Sequence, residues 1–441
     1  MKHHNQWASK MGFILATAGS AIGLGNLWKF PYLMGRNGGF SFLAVYLIFI
    51  LVLGIPIMIA EMSLGRKTRK NPVDAYAAVH PHAKIVGGIG VLSAFLILSY
   101  YSVIGGWILK YFVSYLTTFR APENFEAFIG GTWEPILWHF VFMACTAAIC
   151  LFGVRGIEKA SKVMMPALFL LLLFIIGRSV TLPGAGEGLR FVFTPQSGGL
   201  TLGSVSAALG QVFYSLSLCM GITITYGSYL NNEANIPKSC LSVAGLDTAM
   251  AILSGIAIFP AVFSFGLEPG QGPSLIFGTL PKVFSALSGG SVFAMLFFLL
   301  VFFAAITSSI ALLEVTASYA IGSLRWPRKK AVLLLSALTF LLGIPSSLSF
   351  GPLANARIFN YPFFDFIGML TDNLLLPLGG VLLCYYIGWR WKPSILEAEI
   401  KQNGVRFRLF RVWLFLIRFV TPVLVLVVMI TGFINIYQVV A

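Results

Sequence analysis

The chain has 441 residues, 58% of them hydrophobic and only 10% charged, with a mean hydropathy of +0.87. This composition excludes a soluble domain, a coiled coil, a disordered chain and a secreted disulfide scaffold, and leaves no polar half for a catalytic domain on an anchor. The net charge of +15, from 30 Lys and Arg against 15 Asp and Glu, would suggest nucleic acid in a soluble protein; here the positive-inside rule is the better account, and no nucleic-acid partner is expected.

A membrane-spanning helix needs about 20 mostly apolar residues. Such stretches run over approximately 11–34, 40–64, 86–117, 136–153, 163–182, 203–229, 240–266, 291–322, 331–349, 363–389 and 412–437, which makes an all-α membrane protein of about eleven transmembrane helices. Ala16-Thr17-Ala18 imitates a signal-peptidase site, but lies too close to Lys10 for a signal-peptide core, so the first stretch is read as a retained span. With an inward N-terminus, 21 of the 30 basic residues fall on the cytoplasmic side, among them Arg66, Lys67, Arg69, Lys70, Arg325, Arg328, Arg406, Arg408 and Arg411. The bias predicts a cytoplasmic N-terminus and an outer C-terminus. Cys145, Cys150, Cys219, Cys240 and Cys384 show no CxxC pair or metal spacing and read as small core residues.

Two stretches are interrupted. The first holds Gly19, Gly23 and Gly25 within seven residues, and the sixth runs from Gln211 through Ser215 and Ser217 to Gly221. A broken helix is tolerated in hydrocarbon only where it is buried in protein or lines a watery cavity. Breaks at corresponding positions, one and six, point to two five-helix inverted repeats with a binding site near the midplane. Close packing through small residues is the plainer alternative.

Gly23-Leu24-Gly25-Asn26-Leu27-Trp28-Lys29-Phe30-Pro31-Tyr32, then Asn37-Gly38-Gly39, Gly54-Ile55-Pro56 and Glu61 through Gly65-Arg66, resemble the signature of the neurotransmitter:sodium symporter family. The likeness covers nearly the whole chain, and eleven spans rather than twelve are similar to its bacterial amino-acid branch. It implies a LeuT-like 5+5 inverted repeat with helices 1 and 6 broken: one transporter domain over 1–441, with repeats over about 11–182 and 203–389 and an extra helix over about 412–437. The implied activity is sodium-coupled symport of neutral, mainly hydrophobic amino acids by alternating access, in the lipid bilayer of the inner (plasma) membrane. A proton-coupled transporter with Asp247 as carrier and a non-transporting amino-acid sensor stay open as alternatives. An enzyme is not expected, because His3, His4, His80, His82 and His139 fall in loops or at span edges.

The resemblance implies two sodium (Na+) sites. The first takes the Ala21 carbonyl, Asn26, Ser215 and Asp247, with the substrate carboxylate. The second takes the Gly19, Ile22 and Ala304 carbonyls with Thr307 and Ser308, although such hydroxyls also commonly bond back to their own helix. Asp247 is an intramembrane carboxylate, costly and usually functional. Chloride-dependent members carry a neutral residue there, so a fixed carboxylate implies chloride independence and leaves proton antiport open; a helix-capping aspartate is the alternative. Tyr46, Gln211 and Ser215 match the surroundings of the family's chloride. Glu61 matches an acceptor for amides freed at the breaks, with simple solvation beside Arg66 as the alternative.

For the substrate, helix ends around Ala21, Gly23 and Gly25 offer amides and a positive dipole to a carboxylate. Tyr101 would donate its hydroxyl to that carboxylate, or else pack beside Tyr100. The implied side-chain pocket, Ile97, Tyr214, Ser217, Leu218, Met220, Ser308 and Leu312, holds no acid or base and so favours a neutral, apolar amino acid. Cys219 takes space where close bacterial relatives carry glycine.

The gates depart from the family. Lys29 stands for the outer arginine and Gly368 for its acid, while Asp365 and Asp372 both share roughly that helix face. On the inside, His4 and Gly322 replace the ionic pair. Trp7, Ser228 and Tyr229 match the rest, so closure is expected to rest on Trp7 packing and hydrogen bonds without an ion pair. Gly156 and Pro166 match the spacing with which close relatives unwind the fifth helix, or else produce a plain kink.

Overall fold

The computed structural model describes residues 6–122, 124–195, 201–266, 275–285 and 289–440. The helices that build its bundle, in chain order, are α1 (Lys10–Ala21), α2 (Gly25–Arg36), α3 (Phe40–Thr68), α4 (Pro81–Thr118), α5 (Trp133–Leu151), α6 (Gly153–Ser179), α7 (Leu202–Ser215), α8 (Ile222–Ser228), α9 (Ile236–Ser264), α10 (Gly290–Gly322), α11 (Arg328–Leu348), α12 (Phe363–Arg390) and α13 (Phe410–Ile434). Among the described residues, nine are long and apolar enough to cross a membrane alone, and ten if α1 and α2, bent by 50° at their junction, form one span. The expected sixth span is two helices, α7 of 14 residues and α8 of 7, each too short to cross alone, because residues 216–221 leave the helix. That is why the count falls short of eleven. The one sheet among the described residues is a small hairpin pairing Arg357–Ile358 with Tyr361–Pro362.

The expected boundaries hold within a few residues except at the fifth span. There α6 begins at Gly153, ten residues before the apolar run, because Arg155, Glu158, Lys159 and Lys162 lie on a polar extension of the same helix. Gly153, at φ +66°, makes the sharp turn from α5. No unwinding accompanies Gly156 and Pro166; α6 is continuous through both.

The centre of the bundle is α10, which packs along α4, α6 and α5, with α1 and α8 against it. Where α3 meets α8, Gly65 lets two backbones touch: a Cβ there would lie 2.1 Å from the Ile224 carbonyl oxygen. A buried clasp closes the N-terminal face. Arg66, 2% exposed, donates to Glu399 Oε1 at 2.6 Å, to the Ala234 carbonyl at 2.5 Å and to the Glu399 carbonyl. This ties the loop helix Pro393–Ile400 to α3 and to the loop after α8.

Candidate functional site

The two breaks meet in the middle of the bundle. Between α1 and α2, Ile22 turns extended (φ −75°, ψ 91°), and the glycines serve close approach: a Cβ on Gly23 would lie 2.4 Å from Ser308 Oγ, and one on Gly25 would lie 3.0 Å from the Tyr214 ring. Between α7 and α8, Ser217 (φ +52°), Cys219 (φ +62°) and Gly221 (φ +74°) are left-handed. Two non-glycine residues held there cost on the order of 1–3 kcal/mol each, and persist only when their surroundings fix them. Here Ser217 Oγ donates to the Ser20 carbonyl at 2.8 Å. Glu61, 1% exposed, accepts from the Cys219 N–H at 3.4 Å and from Thr223 Oγ1 at 2.5 Å. Glu61 therefore binds the broken segment itself and is not a solvated surface acid.

One polar cluster forms at the first break. Asp247, fully buried, accepts from Ser215 Oγ at 2.8 Å, Asn26 Nδ2 at 2.8 Å and the Tyr46 hydroxyl at 3.1 Å. Asn26 also turns its oxygen to the Gly23 N–H at 3.3 Å. Gln211 Nε2 donates to the Gly25 carbonyl at 2.9 Å, and its Oε1 is buried without a partner among the described residues. Asp247 lies well inside α9 and caps nothing. Hard oxygens gathered beside an unwound backbone make a chemically apt donor set for sodium.

The second constellation is looser. Ser308 Oγ reaches across from α10 to the Ser20 carbonyl at 3.2 Å and the Gly19 carbonyl at 3.5 Å. Thr307 Oγ1 instead bonds back to Phe303 at 2.9 Å and to the Ala304 carbonyl at 3.1 Å. Thr307 is nonetheless adjacent to the break, since a Cβ on Gly19 would lie 3.3 Å from Thr307 Cβ. Ile22 uses its N–H to cap α1.

A cavity between these clusters is lined by Ala21, Gly23, Gly25, Ile97, Tyr101, Tyr214, Ser217, Met220, Ser308 and Leu312, together with Ser20, Leu24 and Ile222. Leu218 is fully buried but lies off its wall. The Tyr101 hydroxyl oxygen accepts from the Leu24 N–H at 3.3 Å. The cavity leaves only about 30 Å³ for the centres of water-sized spheres, room for water but not for an amino acid, which enters only as the walls part.

Both ends of the path are closed. At one end Lys29 Nζ pairs with Asp372 Oδ2 at 3.1 Å and lies 4.2 Å over the Tyr214 ring. Asp365 makes no ion pair among the described residues. Gly368 faces open space, so an acid there would need no room made for it. Asp372 reaches Lys29 from a π-helical turn, Leu370–Leu375, whose extra residue rotates the face relative to ordinary α spacing.

At the other end Trp7 donates through Nε1 to the Tyr226 carbonyl at 3.1 Å and through its backbone N–H to the Tyr229 carbonyl at 3.2 Å, with edge contacts to both rings. Gly322 packs against Asn71, and His4 lies outside the described residues. The expectation that no ion pair serves this end is corrected. Glu314, fully buried on α10, pairs with Arg328 and accepts from the Tyr229 hydroxyl at 2.8 Å. Glu314 and Arg328 were both readable: one as a third carboxylate inside an apolar run, the other as more than a topology marker. Glu158, which holds the chain around Ala8 and Ser9, gave no such signal, because its partners are a backbone N–H and a capping hydroxyl.

Two helix breaks that meet beside a buried acid, between two closed ends, are the arrangement expected of a membrane transporter. The chain belongs to the sodium:neurotransmitter symporter family, which matches residues 4–125 and 129–440. It is 41% identical over 436 residues to an uncharacterized sodium-dependent transporter, YhdH, of Bacillus subtilis, covering 96% of each chain. An uncharacterized sodium-dependent transporter of Haemophilus influenzae is 36% identical over 98% of each. Among solved structures, MhsT in complex with L-phenylalanine superposes with a TM-score of 0.90 at 43% identity, covering 97% of this chain and 99% of that one. The protein is therefore a sodium-dependent symporter of LeuT-like fold, a multi-pass membrane transporter and not an enzyme.

Proposed function

We propose that the chain carries neutral, mainly hydrophobic amino acids together with sodium, by alternating access and without chloride. The observation that carries this reading is the Asp247 cluster: a buried carboxylate held by Asn26, Ser215 and Tyr46, with no cation paired to it among the described residues. A fixed negative charge at that place favours a bound cation and makes a second anion unnecessary. Sodium binds as a co-substrate, through Asn26, Ser215, Asp247 and the Ala21 carbonyl at one site, and through Ser308, Thr307 and the carbonyls of Gly19, Ile22 and Ala304 at the other. The substrate carboxylate lies against Gly23, Gly25 and Tyr101, and its side chain against Ile97, Tyr214, Ser217, Met220 and Leu312, a wall with no charge to match. The solved relative with bound L-phenylalanine agrees with that choice. Residues 11–182 and 203–389 act as the two repeats, with the N-terminus in the cytoplasm and the C-terminus outside a plasma membrane.

Uptake of labelled leucine, phenylalanine and tyrosine into proteoliposomes tests this. Each is driven by an inward sodium gradient, then by choline or a proton gradient, in chloride and in gluconate. The expected outcome is sodium-driven uptake that is indifferent to chloride. Proton-driven uptake without sodium would replace the coupling ion, and binding without uptake would make the chain a sensor.

A further inference from the structure

Glu158 lies on the second turn of α6, 3% exposed, and its carboxylate faces the N-terminal segment of the chain. Oε2 accepts from the Ala8 N–H at 2.7 Å and Oε1 from the Ser9 hydroxyl at 2.8 Å, while Lys162, one turn further on, approaches Oε1 at 2.6 Å. Ser9 in turn caps α1 by accepting from the Gly12 N–H at 3.0 Å. Gly12 leaves room for the acid, since a Cβ there would lie 2.1 Å from Oε1. The first turn of α1 is thus held to α6 by charge-assisted hydrogen bonds, the stronger kind.

We propose that Glu158 is a positioning residue of transport: it ties the start of α1 to the N-terminal part of α6, so that both leave the bundle together when this face opens. α1 cannot tilt away without breaking both bonds or drawing Glu158 after it. α6 is weakest just there, where Gly156 lowers helix propensity and Pro166 removes a hydrogen bond. Further along, α6 touches the second sodium constellation, since a Cβ on Gly19 would lie 3.1 Å from Met165 Sδ and 3.3 Å from Thr307 Cβ. An ion held there steadies α1 and α6 as one unit, and the tie extends that unit to the Trp7 gate.

This rests on reading the N-terminal face as the inner gate, and hydrogen exchange on the full-length transporter separates the two claims. Wild type, Glu158→Ala, Glu158→Gln and Gly12→Ala are compared in sodium and in potassium. In wild type, peptides covering 8–21 and 153–166 exchange more slowly in sodium. In Glu158→Ala both segments speed up in parallel, and half-maximal uptake needs about tenfold more sodium, a shift of the closed-face population. Gln keeps an acceptor oxygen and recovers most of the effect. Gly12→Ala keeps the acid but displaces it, and reproduces the Glu158→Ala behaviour. The proposal is overturned if only one segment loosens, if wild type depends on sodium and Glu158→Ala needs no more of it, or if Gly12→Ala matches wild type. Where Glu158→Ala lowers protection along the whole chain, Ser9→Ala gives the same test from the other side of the contact. A wild type indifferent to sodium would defeat the symport reading, while parallel loosening in potassium would still uphold the tie.

Discussion

Asp247 carries the sharpest residue-scale consequence. Its neighbours are neutral donors, so replacing the carboxylate by a carboxamide of the same shape removes the charge and leaves the packing. Asp247→Asn is expected to lower uptake in gluconate by at least about tenfold, the worth of roughly 1.4 kcal/mol, and to make the remainder chloride-stimulated. Uptake that stayed chloride-indifferent would remove Asp247 from the charge balance. Asp247 and Glu61 were legible in the sequence because carboxylates inside apolar runs are few. Glu314 obeys the same rule, although the family's pattern places the acid of that gate at Gly322. Asp372 could not be separated from Asp365 by spacing, because the π-turn that brings it to Lys29 appears only in three dimensions.

Among the elements, the seam between α3 and α8 and the Lys29–Asp372 pair answer to different forces. Gly65→Ala drives a methyl group into the Ile224 carbonyl, so a loss of about 1–3 kcal/mol is expected, read as a lower melting temperature with the sodium requirement unchanged. An unchanged melting temperature would mean the two helices are not in contact as described. The Lys29–Asp372 pair is about one-third exposed on each side, and a double-mutant cycle with Lys29→Ala and Asp372→Asn should give a coupling below about 1 kcal/mol. Release rates of bound labelled substrate read this coupling, and a value of several kcal/mol would mean the gate is far better shielded than its exposure indicates. The helix breaks were legible from glycine and serine clusters. The start of α6 was not, because hydropathy loses a helix that continues past the bilayer as a charged turn.

For the whole molecule, cations that bind only the folded state should raise its stability. At sodium about 100 times its dissociation constant the gain is roughly 2.7 kcal/mol, so the melting temperature should climb with sodium and not with potassium at equal ionic strength. Equal effects of both ions would indicate general salt action. Fold class and the pairing of the two breaks followed from composition and glycine placement, whereas the closure of the N-terminal face depended on partners distant in sequence. The Arg66 clasp shows what such distance means for a growing chain. Arg66 leaves the ribosome 333 residues ahead of Glu399, and until the loop helix Pro393–Ile400 is made it has neither the carboxylate nor the Glu399 carbonyl to satisfy it. A chain stopped short of residue 399 leaves that guanidinium with the Ala234 carbonyl alone at the seam between α3 and the loop after α8. Closure of this seam is therefore a late step of assembly, made only once the chain has grown past residue 399 and shortly before α13 is added.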